Sequence, residues 1–384
     1  MTRPPEKSAP RTIPIRNLWY LFLYAWNLAR YRERWSADAE TAPSLLTLLA
    51  RVLGDTTHDI LRRGLARSYV TTSRPLRGIR GRIDFARSAA RLAFPNGRAH
   101  CRFDELGVGD LRNGILRATL QRLASDPRVT GGDPRATDAL REELAELARR
   151  LDDVMPVEPH ATLFSRLPVG HGDGLYALAM SVCRLAHRLE MPTEENGNAA
   201  AMAVLHDEIV QHQLFERFAL NFYRLHLRTE FEAVSETLAW PDEFGSRYAP
   251  AMRTDITLRT RRTPARRIVI DTKFSATTLE ASPFGEPSFK AQNLYQIYAY
   301  LRSQEGRSEA HRNASGILLY PAIGVHLDED MLIQGHRIRV ATVDLAAPWP
   351  AIEARMLAIV HDGLPRPAEP SATNSAFRPD SPKS

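Results

Sequence analysis

The residues with the clearest chemical potential lie at the end of one buried strand. The segment Arg267-Ile-Val-Ile-Asp-Thr-Lys-Phe274 contains three consecutive β-branched residues, which are typical of a central strand, followed by Asp271 and Lys273. Side chains alternate along a strand, so Asp271 and Lys273 project from the same face. A carboxylate and an ammonium in this position indicate either a site that handles charge or an ordinary ion pair at a strand end.

A second carboxylate, Asp255, comes from the preceding predicted strand, Arg253–Leu258. Antiparallel pairing around the turn that joins the two strands brings Asp255 beside Asp271. Two buried acids are costly unless a cation neutralises them. Mg²⁺ takes one or two carboxylates together with water and phosphate oxygens. We therefore expect Asp255, Asp271 and the Thr272 backbone carbonyl to bind Mg²⁺, for which Mn²⁺ can substitute.

Lysine is rare in this chain, which gives Lys273 additional weight. Only four of the 51 Lys and Arg residues are lysine. Arginine is a fork-shaped group that stays charged, whereas lysine is a compact point charge that responds readily to its surroundings. Lys273 therefore suits a role in orienting or activating a water molecule that attacks a phosphodiester.

Two predicted helices add polar side chains to this set. Glu216 lies at the edge of the apolar stripe of the helix that precedes the strands. Gln292 and Gln296 lie one turn apart on a later helix, with Tyr300 near the same face. We expect Glu216 to support the metal and Gln296 to position a water or a phosphate. Ordinary solvent-facing helix surfaces are the alternative for both.

Arginines also crowd the predicted tip of the hairpin between the two acid-bearing strands. They are expected to contact DNA phosphates, although a solvated hairpin tip is an equally good interpretation. The five residues are Arg259, Arg261, Arg262, Arg266 and Arg267.

Composition excludes several other classes of protein. The cysteines Cys101 and Cys183 are too few for a disulfide framework or a four-cysteine zinc site, and the histidines show no zinc spacing. The apolar run Leu18–Trp26 has nine residues, whereas a bilayer span needs about 20. Residues 1–11 lack a signal-peptide core. We expect a cytoplasmic protein with no membrane contact.

Charge is distributed unevenly along the chain. Residues 1–100 contain 18 basic and 7 acidic side chains, whereas residues 151–250 contain 7 basic and 15 acidic ones. The basic segment suits a polyanion or an acidic partner surface.

The order of predicted elements gives the domain organisation. Residues 12–105 form helices and a small β-rich module, and 106–195 form helices. Residues 196–363 contain a long helix, a three-strand meander, a helix, two strands and a final helix, which predicts a mixed α+β or α/β sheet flanked by helices. The proline-rich ends, 1–11 and 364–384, are expected to be disordered.

The order of Glu216, Asp255, Asp271-Thr-Lys273 and Gln296 resembles the PD-(D/E)xK nuclease superfamily, with Thr254 where that superfamily often has proline. Motifs along most of the chain also resemble the McrC family, the nuclease subunit of the McrBC modification-dependent restriction system. The matching blocks, in order, are Ile13–Trp26, Leu76–Phe85, Phe103–Leu106 with Asn113, Leu214–Glu216, Met252–Ile256, Ile270–Lys273 and Asn293–Gln296.

This resemblance implies a DNA endonuclease subunit with a restriction-endonuclease-like fold at residues 196–363. It also implies that the N-terminal half, residues 12–105 above all, docks onto an McrB-like hexamer of AAA+ GTPase subunits and stimulates GTP hydrolysis. The partner binds GTP and recognises methylated double-stranded DNA. The sequence agrees with that division, because it contains no Gly-Lys pair and hence no phosphate-binding loop of the P-loop type.

Two other functions remain open from the sequence. One is a non-catalytic activator of an AAA+ motor with a decayed nuclease fold, against which the intact acid–acid–lysine set argues. The other is a stand-alone repair nuclease of the PD-(D/E)xK superfamily, which would cleave DNA without a partner or a nucleotide.

Overall fold

The computed structural model describes residues 12–165, 167, 174–190, 208–241, 248–261, 265–274, 279–282 and 285–361. The chain divides into an N-terminal unit, Pro14–Phe218, and a C-terminal unit, which comprises Ala219–Ser384 and Met1–Ile13. The expected boundary at residues 195–196 and the expected disordered segments, 1–11 and 364–384, lie outside the described residues. None of the described helices is long and apolar enough to cross a membrane.

Helices form most of the N-terminal unit. They are α1 (Ile15–Ala25), α2 (Ser36–Thr41), α3 (Leu45–Arg63), α4 (Phe85–Ala90), α5 (Leu111–Ser125), α6 (Pro134–Arg149), α7 (Ala161–Ser165), α8 (Gly174–Glu190) and α9 (Glu208–His226), of which α9 continues into the C-terminal unit. The aromatic α1 is buried over most of its length, as its composition predicts. It ends at Ala25, and Asn27 follows in a left-handed conformation (φ 59°) that an α-helix does not contain.

The small β-rich module is an antiparallel three-stranded sheet. Its strands are β1 (Ser68–Leu76), β2 (Arg82–Ile83) and β3 (Ala99–Gly107), in the order β1-β3-β2. Ala99, Cys101 and Phe103 form its small core, so Cys101 has the packing role that the sequence predicts.

Asn113 and Tyr176 form hydrogen bonds to the two chain segments that enter and leave this module. The Asn113 side-chain amide donates to the carbonyls of Ala66 and Val108, at 2.8 Å in each case. The Tyr176 hydroxyl accepts from the Ala66 N–H (2.8 Å) and donates to the Asn113 side-chain oxygen. These bonds tie the residues just before β1 and just after β3 to α5 and α8.

A six-stranded mixed sheet forms the centre of the C-terminal unit. The described elements of the C-terminal unit after α9 are β4 (Phe231–Val234), β5 (Thr237–Leu238), β6 (Met252–Arg253), β7 (Ile256–Thr260), β8 (Arg267–Thr272), β9 (Leu279–Ser282), β10 (Gly285–Phe289), α10 (Ala291–Arg302), α11 (Glu309–Arg312), β11 (Ser315–Ala322), β12 (Asp328–Ile333), β13 (His336–Asp344) and α12 (Trp349–His361). The sheet order is β12-β13-β11-β8-β7-β4, in which β8, β11 and β13 are parallel and the outer strands antiparallel. The prediction of a mixed sheet with helices is confirmed.

Helix α10 packs directly on the centre of the sheet. Ile297 and Leu301 are buried in the same cluster as Leu318 and Val340. The close approach depends on Gly316 of β11, since a Cβ atom there would lie 2.8 Å from the Ile297 side chain. This packing fixes α10 relative to β8, the strand that contains Asp271 and Thr272.

Some strands were not expected from the sequence. β12 begins with Asp-Glu-Asp, which is atypical of a strand, but it is an edge strand whose backbone pairs only with β13. The hairpin of β9 and β10 was also missed. The predicted strand Arg253–Leu258 is interrupted at residues 254–255, between β6 and β7, and the Thr254 N–H donates to the Glu236 carbonyl (3.0 Å).

Candidate functional site

The register of the central strands places the two predicted acids side by side. β7 and β8 are antiparallel, and Ile256 lies opposite Ile270. Asp255 directly precedes Ile256 and Asp271 directly follows Ile270, so the acids occupy facing positions at one end of the strand pair. Asp255 is half-buried, and the side chain of Asp271 is 1% exposed.

The ammonium of Lys273 lies against the more buried acid. Its Nζ is 2.7 Å from Asp271 Oδ2. The Lys273 main-chain N–H donates to the Leu319 carbonyl of β11 (2.9 Å), which holds the residue in line with β8. Both side chains therefore emerge from the same face, as alternation predicts. Lys273 forms its ion pair with Asp271, so the charges of Asp255, Asp271 and Lys273 sum to one net negative charge.

Thr272 fixes the orientation of Asp255. Its main-chain N–H and its side-chain hydroxyl both donate to Asp255 Oδ2, each at 2.7 Å. Only one of the two carboxylate oxygens takes part in these bonds. The second acid is thus held across the strand pair by the residue that separates Asp271 from Lys273.

Helix α10 contributes a chain of hydrogen bonds that begins at the lysine. Lys273 Nζ donates to Gln296 Oε1 (2.7 Å), Gln296 Nε2 donates to the Tyr300 hydroxyl (2.7 Å), and Tyr300 donates to the Arg253 carbonyl (2.9 Å). An ammonium can only donate, so it requires the oxygen of the Gln296 amide. The lysine therefore determines which way the Gln296 amide points.

The environment of Tyr300 keeps its hydroxyl protonated. Burial raises the pKa of Tyr300, and the negative charges of Asp271 and Asp255 raise it further, although the hydrogen bond from Gln296 opposes this change. The phenol consequently remains a donor to the Arg253 carbonyl at neutral pH.

This set of side chains fits a hard divalent cation. Mg²⁺ is bound in proteins by one or two carboxylates and completes its coordination with water and phosphate oxygens. Asp255 and Asp271 supply two carboxylates on facing strand positions, and their net negative charge favours a cation. The described residues contain no group of three or more His, Cys, Asp or Glu side chains with metal-binding geometry.

Glu216 and the Thr272 carbonyl remain predictions as ligands. Glu216 is half-buried on α9, in the N-terminal unit, and the acids lie in the C-terminal unit. Thr272 is fully buried, and its described contacts to Asp255 come from its N–H and hydroxyl.

Two of the five arginines at the hairpin form ion pairs within the protein, and DNA contact by them stays a prediction. Arg267 is buried, and both it and Arg259 form close ion pairs with Glu236. Burial and the nearby Arg307 lower the pKa of Arg267 to about 10. It therefore stays charged at neutral pH and is stabilised by the Glu236 carboxylate.

The sequence pattern could not show this, because Glu236 comes from a distant segment. Arg261 and Arg266 are exposed, and DNA contact by them stays a prediction. Arg262 lies outside the described residues.

Comparison with known proteins identifies the family. The family model described as the McrBC 5-methylcytosine restriction system component matches residues 9–321. The chain belongs to this family. The Type IV methyl-directed restriction enzyme EcoKMcrBC of Escherichia coli (strain K12) is 27% identical over 356 residues, which cover 92% of this chain and 98% of that relative. The McrC resemblance of the sequence motifs is confirmed.

Two solved structures are also similar to this McrC-family chain. One contains Thermococcus gammatolerans McrB AAA+ hexamers with bound McrC; it is 16% identical with a TM-score of 0.48, and the match covers 94% of this chain and 78% of that chain. The other is the Thermococcus gammatolerans McrBC complex, 19% identical with a TM-score of 0.35 over 58% of this chain and 60% of that chain. Family membership rests on the sequence matches alone.

The structure adds two contributions to the site that the sequence did not assign. Thr272 acts through its N–H and hydroxyl, and Tyr300 links the helix to the strand that leads to Asp255. The four-residue spacing of Gln296 and Tyr300 placed them on one helix face, but only the fold shows what they contact.

Proposed function

We propose that this chain is the Mg²⁺-dependent DNA endonuclease subunit of a modification-dependent restriction system, with a PD-(D/E)xK type of site. The observation that carries the proposal is the facing pair of Asp255 and Asp271 with Lys273 Nζ 2.7 Å from Asp271. Two facing acids at the end of a central strand, one of which pairs with a lysine, suit a metal-assisted attack on a phosphodiester.

The roles of the side chains follow from their positions. Asp255 and Asp271 would hold the metal ion, which when bound lowers the pKa of water and neutralises charge on the phosphodiester. Lys273 has three N–H donors, of which one is donated to Gln296, and its ammonium also forms an ion pair with Asp271. Another N–H would be directed to an attacking water or a phosphate oxygen. Gln296 keeps the ammonium in place, and Glu216 would support the metal from α9.

The proposal includes a partner. The similar solved structures contain McrB AAA+ hexamers with bound McrC, and the E. coli relative is described as methyl-directed. We propose that an AAA+ GTPase hexamer binds GTP and recognises methylated DNA, and that this chain docks onto it and cuts the DNA. No Gly-Lys pair occurs in the chain, which agrees with nucleotide binding by the partner.

The β-rich module has a surface suited to docking. Phe85, Leu92 and Phe94 are exposed on the segment between β2 and β3, and Arg91 and Arg98 are exposed beside them. Clustered exposed apolar side chains with a charged rim are typical of an interaction surface. This supports docking through residues 12–105.

Substitution of the lysine tests the nuclease role. We expect Lys273→Ala to reduce cleavage of methylated DNA by about 100-fold or more, since one preorganised donor at the reacting group contributes that much. The assay contains the full-length chain, the GTPase partner, GTP and Mg²⁺. Stimulation of GTP hydrolysis should be unchanged, because Lys273 lies outside the module proposed to dock.

The control and the contradicting outcomes are equally specific. Lys273→Arg retains the positive charge but replaces the point charge with a fork, and we expect it to remain strongly impaired. Cleavage by Lys273→Ala at the wild-type rate would refute the assignment. A wild-type complex that never nicks DNA with Mg²⁺ or Mn²⁺ would favour the non-catalytic activator, and cleavage without partner or nucleotide would favour the stand-alone nuclease.

A further inference from the structure

Tyr300 connects the lysine of the site to the strand that leads to the first acid. Through Gln296 its hydroxyl reaches Lys273 Nζ, and it donates in turn to the Arg253 carbonyl, two residues before Asp255. Each of these three bonds lies between 2.7 and 2.9 Å. The phenol thus joins helix α10 to both halves of the site.

These hydrogen bonds and the main chain between them form a closed ring. Lys273 follows Thr272, and Thr272 binds Asp255 with its N–H and its hydroxyl. Asp255 in turn leads back through Thr254 to the carbonyl that accepts from Tyr300. Any change in the separation of the two strand ends must therefore break or stretch a hydrogen bond in this ring.

Helix α10, which carries Tyr300, is held on the sheet by packing and by a hydrogen bond. Ile297 and Leu301 are buried on the sheet, and Asn293 donates to the Tyr320 hydroxyl of β11 (2.8 Å). Tyr300 itself is buried. A site holds its geometry when the residues behind the reacting groups are fixed by packing and hydrogen bonds.

We propose that Tyr300 is a positioning residue that sets the spacing of Asp255 and Asp271 and the place of Lys273 Nζ. It acts through Gln296 and the Arg253 carbonyl and touches neither metal nor DNA. This inference rests on the proposed function, because it assigns Tyr300 to the same metal site.

Tyr300→Phe is the direct test, because it removes the hydroxyl and keeps the ring. Gln296 Nε2 and the Arg253 carbonyl lose their partner, so the strand ends and the ammonium gain freedom. Residues behind metal ligands commonly change metal affinity or activity by 10- to 100-fold. We expect Mn²⁺ to bind the full-length chain about tenfold more weakly, and kcat for cleavage to fall about tenfold. KM for DNA should change by less than about twofold, since uniform substrate binding is unaffected.

Two further variants separate positioning from a general structural effect. Tyr298→Phe makes the same chemical change on the same helix, but the Tyr298 hydroxyl donates to Gln334 outside the ring. It should leave kcat and Mn²⁺ affinity unchanged. If Tyr300 acts on the lysine through Gln296, the double variant Gln296→Ala/Tyr300→Phe should lose less kcat than the product of the two single losses.

Mn²⁺ binding is measured by the electron paramagnetic resonance of free Mn²⁺, which needs no cleavage. Wild-type Mn²⁺ affinity and wild-type kcat in Tyr300→Phe would overturn the inference, as would multiplicative losses in the double variant. The two proposals can fail separately. If the wild-type complex cleaves DNA, Lys273→Ala abolishes cleavage and Tyr300→Phe has no effect, the proposed nuclease function stands and only the positioning role of Tyr300 is refuted. If wild type does not cleave, equal Mn²⁺ affinities of wild type and Tyr300→Phe still overturn it.

Discussion

Asp328 in the C-terminal unit forms ion pairs with two arginines. Its carboxylate accepts two hydrogen bonds from Arg339 (2.6 and 2.7 Å) and one from Arg355 (2.6 Å). Burial tends to raise the pKa of Asp328, but the hydrogen bonds from Arg339 and Arg355 outweigh it and lower the pKa from 3.8 to about 2. We predict that Asp328→Asn destabilises this unit far more than a similar change at an exposed acid.

The magnitude follows from two considerations. The difference between a pKa of 3.8 and one of about 2 corresponds to about 2 kcal/mol of unfolding free energy at neutral pH. Asn also removes the carboxylate to which the buried Arg339 donates two hydrogen bonds, and removing one member of a buried ion pair costs about 3–5 kcal/mol. We expect the free energy of unfolding to fall by about 3 kcal/mol.

Asp330 on the same strand is the matched control. It also forms a two-pronged ion pair, with Arg337 at 2.6 and 2.8 Å, but its side chain is 43% exposed, against 24% for Asp328. Exposed ion pairs contribute about 0–1 kcal/mol, so Asp330→Asn should cost no more than that. Urea unfolding, with hydrogen exchange of the β13 amide groups to follow this unit, measures both. Equal losses in the two variants would refute the reasoning.

The pH dependence gives a second check on Asp328. Because its pKa is lower in the folded state, the stabilisation is fully present above pH 3.8 and is lost as the pH falls through about 2. The difference in unfolding free energy between wild type and Asp328→Asn should therefore shrink by about 1 kcal/mol between pH 6 and pH 3. A difference that stays constant or grows towards acid would contradict the assignment.

Two further substitutions test structural roles found in the fold. Glu236→Gln should lower the free energy of unfolding in urea by about 3 kcal/mol, because it removes the carboxylate that pairs with the buried Arg267. Glu232→Gln, at an exposed position, is the control and should cost under about 1 kcal/mol. Equal losses would contradict the structural role of Glu236. Asn113→Ala should speed hydrogen exchange at the Ala66 amide and loosen the β-rich module; exchange at the wild-type rate would show that the bonds from Asn113 do not fasten it.

Much of the C-terminal unit was predictable because it depends on local sequence. The run Ile268-Val-Ile270 predicts a buried strand, and the short turn before it leaves antiparallel pairing as the simplest connection to the strand of Asp255. Alternation along β8 then places Asp271 and Lys273 on one face. β12 was not predictable in this way, because an edge strand needs no apolar run and is held by its backbone bonds to β13.

By itself the sequence therefore determined the family, the order of the elements and the juxtaposition of two acids and a lysine. Those features follow from residue types and from spacings of a few positions. Only the tertiary structure decided which distant groups meet, because contacts between segments depend on packing and not on periodicity. It paired Arg267 with Glu236, and it turned the Gln296 amide so that its oxygen faces Lys273 and its nitrogen faces Tyr300.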